Sequence, residues 1–274
     1  MKISRGNRIF QLSYFHMSCS IVRRRILPSF GVLVFYFAAI LIPARLISAH
    51  PIPANDAGAK SPAMIIGFVG GFIAHDNPVH SEVQLAARLR KEFPAGVDVE
   101  TYESYRGGKA RAAILKLLDA NHDGNLTTQE KQNARIIIYG HSWGGAEGIY
   151  LARALEKDGV PVLLTLQVDS IAAPGRDDLT IPANVAQAAN FYQAHGILQG
   201  HHDIRAANPS RTRIIGNFKF DYEKSALTCS EYPWYDRFIV KPHTQIECDP
   251  AIWNRVDSLI HTSLASVGPS GPAQ

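Results

Sequence analysis

Residues 135–145 read Arg-Ile-Ile-Ile-Tyr-Gly-His-Ser-Trp-Gly-Gly, and the order of residue types in that stretch decides the fold. Arg135–Tyr139 is a short, β-branched apolar run of the kind that forms a strand buried on both faces. Gly140-His141-Ser142-Trp143-Gly144 follows directly as G-x-S-x-G, and a helix is predicted over Gly145–Lys157. A serine hydroxyl becomes a useful nucleophile when it is held exposed, beside a base, on a sharp strand-to-helix turn. Glycines two residues to either side make room for that turn, because side chains there would strike neighbouring backbone. The bland alternative is a Gly-rich turn without chemistry. The strand before it and the helix after it favour the nucleophile.

Outward from this turn, strands and helices alternate. Ala63–Val69 is an apolar run ending at Gly70-Gly71, and Ser81–Phe93 has helical spacing at Val83, Leu85, Ala86 and Leu89. Val97–Tyr102 reads as a strand, Lys109–Leu118 as a helix and Pro161–Val168 as a strand. Ala183–Gln193 mixes helix and strand signals. Arg211–Lys219 is extended, Arg237–Val240 reads as a short final strand, and Ile252–Leu264 as a closing amphipathic helix. Strands separated by helices of this length imply one domain over residues 63–265, built on a mainly parallel sheet covered on both faces.

The other parts of a nucleophilic site fall in a set order along the chain. Gly70-Gly71-Phe72 lies at the end of the first strand, so the backbone N–H of Phe72, with that of Trp143, suits an oxyanion hole. Asp169 ends the strand after the serine, at the sheet edge where active sites of parallel sheets lie. His243 precedes the last helix. Serine, acid, then histidine is the order of one known triad arrangement, with Asp203 or Asp221 as the alternative acid.

On these residues, residues 63–264 resemble the α/β-hydrolase fold of the lipase and thioesterase-like kind. The stretches GHSWGG, LLTLQVDS and PHTQIECDPAIW are similar to a group of bacterial exported hydrolases carrying an inserted EF-hand loop. The resemblance implies a Ser142–His243–Asp169 triad acting on a small-molecule or lipid ester, or on a thioester. Export argues against acyl-CoA and carrier-bound substrates. An acyltransferase would share every residue, and a non-catalytic calcium-binding protein that kept the fold is the rival of another class.

A second motif is Asp119-Ala-Asn121-His-Asp123-Gly124-Asn125-Leu126-Thr127-Thr128-Gln129-Glu130. It matches the twelve-residue EF-hand loop, with oxygen ligands at Asp119, Asn121, Asp123 and Glu130, the carbonyl of Asn125, and Gly124 at the sharp turn. A short exit helix is expected over Gln129–Asn133. The oxygen-rich set favours Ca²⁺, and with no second EF-hand the ion reads as a structural clamp. No cofactor is expected in catalysis. His75, Asp76 and His80, or His201, His202 and Asp203, offer metal-ligand chemistry but lack zinc-site spacing.

The chain of 274 residues is 46% hydrophobic with a formal charge of +4. Residues 1–49 hold seven Lys/Arg and no acid, which leaves 21 basic against 24 acidic residues in 50–274 and a charge of −3. The basic balance therefore belongs to the N-terminus, and nucleic acid is not an expected partner. Arg23-Arg24-Arg25, an apolar run over Ile26–Ala44 and the small residues before His50 have the three parts of a signal peptide. Residues 26–44 as an uncleaved membrane anchor is the alternative. Residues 50–62 read as a linker and 266–274 as a disordered tail. Only Cys229 and Cys248 follow the export segment, and an even pair in an oxidising compartment suggests a disulfide bracketing His243. The aromatics at 218–238 read as packing over a sheet edge, with a lid as the alternative.

Overall fold

The computed structural model describes residues 63–266; the export segment, the linker and residues 267–274 of the tail lie outside them. The strands are β1 (Ala63–Val69), β2 (Val97–Glu103), β3 (Arg135–His141), β4 (Val162–Val168), β5 (Thr180–Ile181), β6 (Val185–Gln193), β7 (Arg205–Ala206) and β8 (Arg213–Phe220). The helices are α1 (Ser81–Glu92), α2 (Gly107–Leu118), α3 (Thr128–Gln132), α4 (Trp143–Asp158), α5 (Trp234–Ile239), α6 (Lys241–Cys248) and α7 (Pro250–Ala265).

Six strands form one sheet in the order β2-β1-β3-β4-β6-β8, and every pairing is parallel. The apolar strands separate their side chains by period two. Ile65, Ile137 and Tyr139 face one core with α1, α6 and α7. Ile66, Ile136 and Ile138 face the other, with α2 and α4. Each buried Ile side chain contributes ~1.5–3 kcal/mol. This is the mainly parallel sheet with helices on both faces expected from the sequence. Ala183–Gln193 resolves as strand because Val185, Ala188 and Ala189 lie buried between β4 and β8.

The chain runs from β1 out to β2 at the sheet edge, then returns across β1 to β3. That reversal opens a crevice at the carboxyl ends of the strands, the usual ligand position in open α/β sheets. Gly70, Ser142 and Asp169 directly follow β1, β3 and β4 at that edge.

One expected element is different. Arg237–Val240 is not a final strand: residues 234–239 form α5, and His243 stands within α6. Trp234, Tyr235, Phe238 and Ile239 recur at helical rather than alternating spacing, and short apolar runs fit either period. Pro233 precedes α5 and Pro242 falls in the first turn of α6, where a missing N–H costs nothing.

Candidate active site

The turn at Ser142 is tight in the way its glycines require. Ser142 has φ 55° and ψ −127°, a left-handed backbone that a serine adopts only when its surroundings enforce it. Three bonds do so: Ser142 N–H donates to Val168 O (3.0 Å), and Ser142 O accepts from Gly145 N (3.0 Å) and Ile171 N (3.1 Å). A Cβ on Gly140 would lie 2.5 Å from the Gly144 carbonyl, and one on Gly144 would overlap the backbone of Phe68. Neither position admits a side chain.

Asp169 is the carboxylate that meets His243. Its Oδ2 lies 2.6 Å from His243 Nδ1 and accepts from Gln193 Nε2 at 2.9 Å. Its Oδ1 accepts from the backbone N–H groups of Gln193 (3.1 Å) and Gly200 (2.9 Å). Four donors thus converge on one fully buried carboxylate. Gly200 is required here, because a Cβ on it would overlap Asp169. Asp203 is exposed, and Asp221 faces His195 at 3.4 Å, so neither alternative acid serves His243. Gln193 and Gly200 carry no motif in the sequence.

Ser142 and His243 line one cavity of about 250 Å³, together with Gly70, Gly71, Trp143 and Leu198. Trp143 opens α4, where the first N–H groups have no intrahelical partner. The Gly70–Ile73 turn is closed by Ile73 N–H donating to Gly70 O at 3.2 Å and is tied to Ser104, whose Oγ donates to Gly71 O at 2.7 Å. The Phe72 ring stands edge-on to Trp143, 5.3 Å between centroids. The two residues expected at the oxyanion hole are therefore neighbours, and Trp143 lines the cavity.

A buried cluster that the sequence did not announce forms another wall. His80 Nδ1 lies 2.6 Å from Glu247 Oε1, and His141 Nδ1 lies 3.4 Å from Glu247 Oε2 and 3.8 Å from Glu82 Oε1. The His141 ring packs on that of His243 at 4.4 Å. Burial, then the neighbouring Glu247, holds the Glu82 carboxyl well above the usual range, and burial pushes Glu247 up to about 8. Burial, then the neighbouring histidines, holds His141 well below its ordinary value. One signal was legible: Glu82 occupies the buried stripe of α1 with Leu85, Ala86 and Leu89, where an apolar residue is the rule. The ligand sets drawn from the sequence do not form. His75 and Asp76 are exposed while His80 faces Glu247, and His201 pairs with Asp178 at 2.5 Å rather than joining His202 and Asp203.

The aromatic segment divides. Tyr222 and Tyr232 are buried, and Phe218 and Phe220 pack against the core, as expected of a sheet edge. Trp234, Tyr235 and Phe238 on α5 are exposed instead, Phe238 by 76%. Asp236 and Val240, on and after α5, line the cavity. Cys229 and Cys248 are joined, with Cα atoms 5.8 Å apart, which ties the approach to α5 to the end of α6.

Loop 119–130 follows α2 and runs into the first turn of α3. Gly124 has φ 80°, the left-handed turn expected at that position. Asp119 accepts from the N–H groups of Asp123 (3.2 Å) and Gly124 (3.0 Å), and Asp123 accepts from Asn125 N–H at 2.7 Å. Glu130 accepts from Ala120 N–H at 3.0 Å and forms a capping box with Thr127. The Thr127 N–H and hydroxyl hold the Glu130 carboxyl below its ordinary value. The donor set of carboxylate and amide oxygens fits a hard cation such as Ca²⁺.

No protein-family model and no curated protein matches the sequence. Among solved structures the chain is similar to a novel cutinase-like protein from Cryptococcus sp., with 11% identity over 75% of this chain and 96% of that one and a TM-score of 0.40. It is also similar to the RedJ thioesterase of the prodiginine biosynthetic pathway in Streptomyces coelicolor, with 12% identity over 73% of this chain and 96% of that one and a TM-score of 0.33.

Proposed function

We propose that the chain is an exported serine hydrolase that cleaves carboxylic esters. The observation that carries this reading is the His243–Asp169 contact at 2.6 Å in a cavity shared with the strained Ser142. Ser142 Oγ attacks the ester carbonyl while His243 Nε2 takes its proton. Asp169 holds Nδ1–H of His243, fixing the tautomer and stabilising the imidazolium as it forms. The tetrahedral oxyanion sits against the backbone N–H groups of Phe72 and Trp143, each such donor contributing ~3–4 kcal/mol to the barrier reduction. His243 then returns the proton to the leaving alcohol, and water releases the acyl group by the same path.

The exposed apolar side chains beside the cavity, Phe72, Trp143, Leu198 and those of α5, favour a substrate with an apolar acyl part. The cavity is small for a ligand pocket, so a long chain would run out along this rim. The Cys229–Cys248 bridge supports an oxidising compartment, and no helix among the described residues is long and apolar enough to cross a membrane. A fluorophosphonate probe tests the reading. The intact chain should be labelled, and Ser142→Ala should lose both label and roughly 10⁴-fold or more of kcat. An intact chain that takes no label overturns it in favour of a non-catalytic protein.

In the same reading loop 119–130 holds a structural Ca²⁺. Asp119, Asn121, Asp123 and Glu130 would supply side-chain oxygens and Asn125 its carbonyl. Bound, the ion would fix α2 to the segment that feeds β3 and so brace the nucleophile strand. Calcium at about 100 times its dissociation constant stabilises by ~2.7 kcal/mol, a rise of about 5–10 °C in Tm for a domain of this size. Calorimetry without binding heat and a Tm indifferent to chelator would refute the site.

A further inference from the structure

We propose that His80, Glu82 and Glu247, with His141 beside them, bind one divalent transition-metal ion of the zinc type in the wall of the catalytic cavity. The four residues come from three places in the chain. His80 and Glu82 stand at the start of α1, His141 ends β3, and Glu247 lies near the end of α6. All four are buried; Glu82 is 0% exposed and His141 3%. One ligand atom each of His80, Glu82 and Glu247 fall within 4.8 Å of one another. Ligands held at ~2.0–2.2 Å from a tetrahedral ion sit roughly 3.4 Å apart. The contacts His80–Glu247 (2.6 Å), His141–Glu247 (3.4 Å) and His141–Glu82 (3.8 Å) bracket that spacing.

What points to a ligand is the unmet bonding capacity. Both oxygens of Glu82 and both ring nitrogens of His141 are buried without a hydrogen-bond partner, as is the hydroxyl of Tyr232, whose ring stands edge-on to His80 at 5.3 Å. A buried carboxylate with no donor is costly unless a cation meets it. No Lys or Arg reaches Glu82 or Glu247 among the described residues. A divalent ion balances two carboxylates in charge and uses the free imidazole nitrogens as ligands. Mixed imidazole and carboxylate ligation suits zinc-type ions, whereas the all-oxygen loop 119–130 suits Ca²⁺. Placed here the ion clamps α6, which carries His243, to α1 and β3. The competing arrangement is a single proton shared by Glu82 and Glu247.

Equilibrium dialysis of the full chain against Zn²⁺ with excess Ca²⁺ present, read by elemental analysis, separates the two. The intact protein should hold one zinc that resists competition by Ca²⁺, and Co²⁺ in its place should give the visible absorption of a low-symmetry nitrogen and oxygen site. Glu82→Gln and Glu247→Gln should each weaken zinc binding by at least about tenfold, while Asp119→Asn in the loop leaves it unchanged. Two results overturn the proposal. One is an intact protein that binds no zinc. The other is zinc held equally by folded Glu82→Gln and Glu247→Gln variants, which would place it at an exposed cluster such as His195, Asp221 and Glu223. Should neither variant fold, the dialysis and the Co²⁺ spectrum of the intact chain decide.

Discussion

Two carboxylate–histidine contacts of the same length, 2.6 Å, adjoin one cavity: Asp169–His243 and Glu247–His80. All four side chains are buried, so neither distance nor burial tells them apart. The supply of donors does. Asp169 receives three N–H groups besides His243. Glu247 shares its space with Glu82, whose two buried oxygens meet no donor. The first carboxylate is met by donors on both oxygens beside a base. The second is short of positive charge, which is why a cation is inferred there.

The largest effect should follow from spoiling the first pair without changing its shape. Asp169→Asn places an NH₂ where the carboxylate accepts from four donors and removes the charge that stabilises the imidazolium. We expect kcat to fall about 10³–10⁴-fold with KM within about threefold, by analogy with the same change in other triads. Steady-state kinetics on a soluble ester would show it. An unchanged kcat would remove Asp169 from the mechanism and return Asp203 or Asp221 to consideration.

A smaller effect should touch both pairs together. The Cys229–Cys248 bridge closes a 19-residue separation and ends on the helix that carries both His243 and Glu247. Loop-closure entropy gives about 3 kcal/mol for a ring of that size, or roughly 6–12 °C in Tm for a domain of this length. Replacing both cysteines by alanine should lower Tm by that amount in a thermal melt. A drop in kcat alongside it would show that the bridge also sets the register of His243. An unchanged Tm would mean that α6 is held by packing alone.

How much of this was legible depends on whether a feature is written contiguously. The G-x-S-x-G turn and the Asp119–Glu130 loop are local, and their spacing states their geometry. Asp169 and His243 were reachable because strand order in a parallel sheet constrains where acid and base can stand. The helix at 234–239 was not, since Arg237–Val240 taken alone is a short apolar run that fits either period. The second pair was hidden by distance along the chain: Glu247 comes 167 residues after His80, and only the tertiary fold brings them together. Glu82 was the one partial signal, a carboxylate on the apolar stripe of α1.

The finest test of the comparison removes one donor from the satisfied carboxylate and moves it a step toward the unsatisfied one. Gln193 is fully buried and its Nε2 donates both to Asp169 Oδ2 (2.9 Å) and to Leu198 O (2.8 Å), while its Oε1 accepts from His195 N–H at 2.7 Å. Gln193→Ala takes away these three bonds but leaves the backbone N–H groups of Gln193 and Gly200 on Oδ1. A bond to a charged group is worth ~1.5–3 kcal/mol and a neutral one about 1, so the gross loss overstates the effect where water enters the vacated space. We expect a Tm lower by about 3–8 °C and a kcat lower by about tenfold, because Asp169 loses part of what fixes its angle to His243. The split between kcat and KM decides between this and a purely structural role. A positioning role lowers kcat with KM unchanged; a structural role lowers Tm and leaves kcat where it was.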